Sequence, residues 1–138
     1  MKTAFTGSRR GTTPAQRAQL RAALLEIGAT ALHHGDCVGA DADLHAIAQS
    51  LQLPILIHPP TDDRHRACCQ GGQILPARPY LLRNQDMVDA CETLLAAPDG
   101  AERARSGTWA TIRSAIRAGK RVIIVMPTGV RAVNELTP

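Results

Sequence analysis

RNQDMVDACETLLAAPDGAERARSGTWATIRSAIRAGKRVIIVMP, residues Arg83 to Pro127, holds two unbroken apolar runs with a polar loop and a helical pattern between them. The first run is Thr93-Leu94-Leu95-Ala96-Ala97-Pro98 and the second is Val122-Ile123-Ile124-Val125-Met126. Between them the loop ends in Ser106-Gly107-Thr108-Trp109, and a helical pattern follows to Gly119. The order is helix, strand, glycine-bearing loop, helix, strand. Continuous apolar strands belong to a parallel sheet covered on both faces. A loop that leaves a buried strand and enters a helix through Ser-Gly-Thr outlines a phosphate site. The free N–H groups and the dipole of the helix start favour an anion, glycine lets the backbone approach, and hydroxyls add donors. A plain capped turn uses the same residue types, so the weight of the signal comes from the other loops that open on the same edge.

Working outward, Thr3-Ala4-Phe5-Thr6 is a short strand running into Gly7-Ser8-Arg9-Arg10-Gly11. Thr13 with Pro14 starts a helix by a hydroxyl cap and a proline at the first helical position, and Gly28 ends it. Thr30 to His33 is a second strand, ending in His34-Gly35-Asp36. Ala40, Leu44, Ile47, Ala48 and Leu51 then repeat at helical spacing, with Asp41 and Asp43 in the first turn. Pro54 to His58 is a third strand. Pro59 to Pro79 has no period, and its length marks a mobile cover over a ligand, with Gly71-Gly72 as hinge. Thr128 to Pro138 carries little pattern and is expected to be a frayed tail. The whole chain, 1–138, is expected to be one α/β domain. Its architecture is a three-layer, Rossmann-like, doubly wound parallel sheet of about five strands.

Composition narrows the function classes. A net charge of +4 permits a nucleic-acid partner without demanding one. Phe5, Tyr80 and Trp109 are the whole aromatic complement, too few for a stacking track along a single strand, so nucleic acid is not favoured. Cys37, Cys68, Cys69 and Cys91 form no CxxC pair. Neither a disulfide framework nor a zinc knuckle is indicated, and the spacing of His58, His65, Cys68 and Cys69 fits no standard zinc pattern. No metal and no cofactor is expected. With no leader-like start and no apolar stretch of membrane length, a cytoplasmic protein without membrane contact is expected.

Gly7-Ser8-Arg9, His34-Gly35-Asp36 leading to Gly39-Ala40-Asp41, Arg83-Asn84-x-x-Met87 and Ser106-Gly107-Thr108 occur in that order. Together they resemble the SLOG superfamily of small Rossmann-like domains, which includes the LOG phosphoribohydrolases and the DNA-processing DprA proteins. The similarity is greatest to short stand-alone YspA-type members, often found in phages and mobile elements. It spans Gly7 to Met126. The resemblance implies a nucleotide-type ligand and a homodimer or higher homo-oligomer. Arg83 matches the arginine of the LOG Arg-Lys-x-x-Met motif, with Asn84 in place of the lysine. The LOG loop PGGxGTxxE keeps its Gly107-Thr108 part here, but Thr111 stands where that family has its catalytic glutamate.

The candidate ligand-binding residues are Gly7, Ser8, Arg9, Gly35, Arg83, Asn84, Pro98, Ser106, Gly107, Thr108 and Trp109. Asp36, Asp41 and Arg83 are the candidates for any catalysis. Each has a plain structural role open to it: a turn aspartate for Asp36, a helix-dipole partner for Asp41, a surface ion pair for Arg83, and core or dimer packing for Trp109. Three functions compete. The first is binding of a nucleotide or nucleotide-derived molecule as sensor or carrier. The second is an N-glycosidase or ribosyl-transfer reaction that stabilises an oxocarbenium-like ribose with Asp36 or Asp41. The third is DprA-like binding of single-stranded DNA.

Overall fold

A computed structural model describes residues 1–134. Its elements are β1 (Lys2–Gly7), α1 (Pro14–Glu26), β2 (Ala31–His34), α2 (Ala40–Ser50), β3 (Ile55–Ile57), β4 (Gln73–Ile74), α3 (Tyr80–Ala90), β5 (Thr93–Ala97), α4 (Gly107–Arg117), β6 (Arg121–Val125) and β7 (Arg131–Asn134). They form one sheet in the order β4-β3-β2-β1-β5-β6-β7. Every pairing is parallel except β6 with β7. The chain winds outward from β1 through β2, β3 and β4, then returns to β5 on the other side of β1. The direction of winding therefore reverses between β1 and β5.

Residue alternation along the strands splits the core in two. Phe5, Leu32, Ile57, Leu95 and Ile123 pack with Leu20 and Leu24 of α1 and Leu44 of α2. Ala4, Leu94, Ala96, Val122 and Ile124 pack with Met87 and Val88 of α3 and with Trp109 and Ile112 of α4. Two helices thus cover each face, giving a three-layer, Rossmann-like α/β fold.

Several local expectations are realised atom by atom. Thr13 caps α1 in a capping box with Gln16, with Pro14 at the helix start. The buried Gln16 amide donates to the carbonyls of Pro98 at 2.8 Å and Val125 at 3.0 Å, so α1 ties together the carboxyl ends of β5 and β6. Gly39 opens α2 at φ +89°, where an added Cβ would lie 2.3 Å from the carbonyl oxygen of Arg9. Only glycine fits there, and the contact holds the loops after β1 and β2 side by side.

Seven strands replace the five expected. β7 comes from the segment taken as a frayed tail; residues 135–138 of that segment lie outside the described residues. Gly129 N–H donates to Met126 O at 2.8 Å, Gly129 sits at φ +88°, and Met126 N–H donates to Val130 O at 2.9 Å. That is a three-residue hairpin loop with glycine in the left-handed position, which returns the chain along β6. Arg131 then fastens β7 to α1 through Gln19 Oε1 at 2.8 Å and Glu26 at 2.6 Å. β4 adds two residues beside β3.

The segment from Pro59 to Pro79 is fastened along its length. Thr61 N–H donates to Arg78 O, and Arg78 N–H to Pro59 O, each at 3.1 Å. Val38 N–H donates to His65 O at 2.8 Å and Ala67 N–H to Asp36 O at 2.7 Å. These bonds tie the segment to the ends of β2 and β3 and to its own far end, so it stands as a wall beside the cavity at the place where the sequence suggested a mobile cover.

Candidate functional site

A cavity of about 530 Å³ opens at the carboxyl edge of the sheet. It lies between the loop after β1 and the loop from β5 to α4, where the winding direction reverses. Ligands bind at that place in open α/β sheets. Gly7, Ser8, Arg9, Gly35, Arg83, Asn84, Ser106, Gly107 and Thr108 all line it, as does Asp41. Pro98, Trp109 and Asp36 do not.

α4 begins at the cavity. Ser106 caps it by accepting the Trp109 N–H at 3.2 Å. Gly107 is exposed and a Cβ built there meets nothing within 4 Å, so its backbone faces open space. Thr108 is 8% exposed, yet its hydroxyl has no hydrogen-bond partner among the described residues. A hydroxyl without a protein partner on a cavity wall, open to the cavity and beside free helix N–H groups, offers a donor set to an anion. Across from it Ser8 Oγ donates to Asp99 at 3.3 Å and accepts the Arg10 N–H at 3.0 Å, a bent loop with its hydroxyl already engaged.

Arg83 is 4% exposed and most of its donors are spent. Nη1 donates to Gly35 O at 2.5 Å and His58 O at 3.0 Å, Nε to Asn84 Oδ1 at 2.8 Å, and Nη2 approaches Cys37 Sγ at 3.9 Å. A guanidinium has five N–H groups, so one Nη2 hydrogen is left for a ligand. Its planar face lies against Tyr80, 4.9 Å from the ring centre. Arg83 thus ties the ends of β2 and β3 together as well as lining the cavity. Gly35 permits this, because an added Cβ would lie 2.5 Å from Nη1.

The two aspartates part company. Asp41 is 5% exposed, lines the cavity, and accepts the Cys37 N–H at 3.0 Å. Burial pushes its carboxyl up to about 6, against the Cys37 N–H, the Arg83 charge and the Gly35 N–H, which favour the carboxylate. Asp36 is fully buried and turned away, at φ +59°. It accepts Arg66 Nε at 2.8 Å and the Cys69 N–H at 2.9 Å. Burial works against its charge, but the Cys69 N–H and Arg66 outweigh it and hold Asp36 below the usual carboxylate range. Asp36 fastens the Pro59–Pro79 wall and has no access to a ligand in the cavity. Trp109 is likewise taken up by the core, donating its indole N–H to Gly100 O at 3.3 Å, and Pro98 contributes only its carbonyl, to Gln16.

Sequence reasoning missed Thr6, Cys37 and the wall residues Asp62 and Arg64, which also line the cavity. Nothing local in the sequence marks them, since the partners that aim them are remote. Burial and Asp41 raise the Cys37 thiol, so it is a neutral group on the wall.

His34, His45 and Cys69 bring ring nitrogens and sulfur within 4.8 Å of one another. The hydrogen bonds decide what they are. His34 Nδ1 accepts the Asp36 N–H at 3.0 Å, so its proton is on Nε2, which donates to His45 Nδ1 at 2.8 Å. His45 Nε2 then donates to Gln70 O at 2.6 Å. These bonds fix both tautomers, and His34 is pushed down to about 3, first by burial and then by His45. To ligate a metal through Nε2, His34 would need its proton on Nδ1, where the Asp36 N–H already points. Burial, then Asp36, raises the Cys69 thiol to about 12. The trio is a hydrogen-bonded clip on the wall and does not fit a metal site.

The fold is shared with a solved protein. The crystal structure of TM1055, a structural-genomics target, matches with a TM-score of 0.68 at 16% identity, over 94% of this chain and 76% of that one. At that identity the likeness shows the fold alone. No protein-family model matches the chain. No curated protein matches it either. Among the described residues, no helix is long and apolar enough to cross a membrane.

Proposed function

We propose that this protein is a SLOG-type domain that binds a nucleotide or a nucleotide-derived small molecule, as a sensor or carrier. The phosphate rests on the Gly107 and Thr108 N–H groups and the Thr108 hydroxyl, with Ser8 and Arg9 opposite. The sugar and base extend toward Tyr80 and Arg83. The observation that carries this is the cavity at the β1/β5 reversal, with the unpartnered hydroxyl of the nearly buried Thr108 open to it at the start of α4. Its size suits one small polar ligand. Native mass spectrometry of the purified protein for a co-purifying nucleotide tests it. A thermal-shift panel of nucleoside monophosphates, NAD derivatives and cyclic nucleotides extends the test, because a ligand that binds only the folded state raises its stability by mass action. If nothing co-purifies and nothing in the panel shifts the melting temperature, the proposal fails.

One observation favours a second reading, an N-glycosidase-type enzyme. Asp41 is a buried carboxyl on the cavity wall, pushed up to about 6 by burial against the opposing charge of Arg83. A group so poised exchanges protons near neutrality, as acid–base catalysis requires. Against it, Thr111 donates to Gly107 O at 3.0 Å and supplies no acid where the LOG pattern has one. Release of free base from nucleoside monophosphates separates the two readings.

A further inference from the structure

The charges around the cavity do not balance, and the imbalance is local. Three carboxylates line it, and each is matched by an arginine. Arg64 grips Asp62 at 2.6 Å, Arg103 grips Asp99 at 2.8 Å, and the Arg83 charge acts on Asp41 without an ion-pair contact. Three further arginines line the same cavity: Arg9, Arg10 and Arg105. Arg10 lies 3.7 Å from the already paired Asp99 with its side chain 86% exposed, a contact worth little. Arg9 and Arg105 are exposed and have no ion-pair partner among the described residues. Arg9 and Arg10 are on the loop after β1, and Arg105 directly precedes the Ser106 cap of α4. The surplus therefore sits on the two loops that face each other across the reversal. It adds to the positive end of the α4 dipole and to the Thr108 hydroxyl.

We infer that the ligand carries two adjacent phosphates, of the nucleoside-diphosphate or pyrophosphate-linked class, and is not a monophosphate. This rests on the binding function proposed above. One phosphoryl group takes the N–H groups of Gly107 and Thr108 together with Arg105. The neighbouring group reaches across to Arg9 and Arg10. A monophosphate, with roughly −1.5 to −2 charge, is answered by the helix start and one arginine and leaves the far loop unpaired. Arginine matches phosphate bidentately, so the second group gains directed hydrogen bonds and not only a diffuse field. An oligonucleotide would bring still more charge. The surplus is confined to the rim of an open cavity of about 530 Å³, however, and Phe5, Tyr80 and Trp109 are too few for an aromatic track leading from it, which favours a small molecule.

The test titrates the full chain with inorganic phosphate, inorganic pyrophosphate and matched adenosine mono- and diphosphate at fixed ionic strength, read by calorimetry. The same set is repeated on Arg9→Gln/Arg105→Gln, whose exposed, unpaired positions leave the fold intact by circular dichroism and melting. Each two-phosphate probe is expected to bind at least tenfold tighter than its one-phosphate partner, and the double variant to shrink that ratio below threefold. Equal affinity within each pair overturns the inference and leaves the nucleotide-binding proposal standing. No binding by any probe overturns both. An unaltered ratio in the double variant overturns the assignment to these arginines. A twenty-nucleotide single strand that binds tighter than the diphosphate and competes with it overturns the small-molecule class in favour of DNA.

Discussion

Gly107→Val puts bulk where the anion is proposed to rest and nowhere else. The new Cβ meets no atom within 4 Å, and Gly107 has no left-handed φ, so the side chain enters open cavity without strain. Glycine is a poorer helix former than valine by a few tenths of a kcal/mol, so the variant's own stability stays level or rises by about that much, a shift of roughly 1–2 °C for a chain of this size. Binding is another matter. Hydrogen bonds to a charged group contribute about 1.5–3 kcal/mol each, and two are blocked when the isopropyl group covers the Gly107 and Thr108 N–H groups. A loss of about 3 kcal/mol or more is a hundredfold or greater rise in Kd. At a ligand concentration of 100 Kd the parent gains about 2.7 kcal/mol in stability, whereas the variant gains about 0.4 kcal/mol. Paired thermal-shift titrations of parent, Gly107→Ala and Gly107→Val, with the co-purifying nucleotide or the best panel ligand, give the graded series. A valine variant that melts with the parent and binds as tightly places the anion elsewhere and refutes the reasoning.

Incubation with nucleoside monophosphates should release no free base at enzyme-like rates, since Thr111 supplies no acid; robust protein-dependent release, lost in Asp41→Asn, would reverse that conclusion. Gly35→Ala forces the Arg83 guanidinium off the carbonyls it bridges and should cost about 1–3 kcal/mol in denaturant unfolding, and a neutral effect would mean the Arg83 tie is dispensable. Asp36→Asn removes the Arg66 ion pair and should speed amide exchange from Arg66 to Gln70 while the α2 amides stay unchanged; equal protection in both proteins would show that the wall is held by other contacts. Stability should also depend on acid. His34 is pushed down to about 3, and His58, chiefly by burial, to about 4, so the unfolded chain takes up protons first as pH falls below about 6.5. Each histidine then loses stability on acidification, by about 1.4 kcal/mol per pH unit at most. Asp41, raised to about 6, works the opposite way and regains part of the loss between about 6 and 4. The net fall from pH 7 to pH 5 should be about 2–3 kcal/mol in urea unfolding. A flat profile would show that the buried rings are not held neutral.

The strands β1, β2, β3, β5 and β6 and all four helices were legible in the sequence, because their signals are local. Buried central strands need unbroken apolar runs, and Thr13, Pro14 and Ser106 are chosen by the orphan N–H groups of the helix they start. The loop Ser106-Gly107-Thr108, which caps α4 and lines the cavity, was legible for the same reason. β4 and β7 were not. Edge strands bury no full face, so Gln73–Ile74 and Arg131–Asn134 carry no period, and they exist because β3 and β6 offer them a ladder. Tertiary structure alone also sorted the site. Asp36 and Asp41 look alike in the sequence, but Arg66 and Cys69, thirty and thirty-three positions on, pull one carboxylate into the wall while the other remains on the cavity. The arginines follow the same rule. Which are spent and which are free depends on Gly35, His58, Asp62 and Asp99, which arrive from three different loops. A side chain's type is written in the sequence; the atoms left over after its partners are satisfied are a property of the packed chain, because hydrogen bonds and charges pair through space.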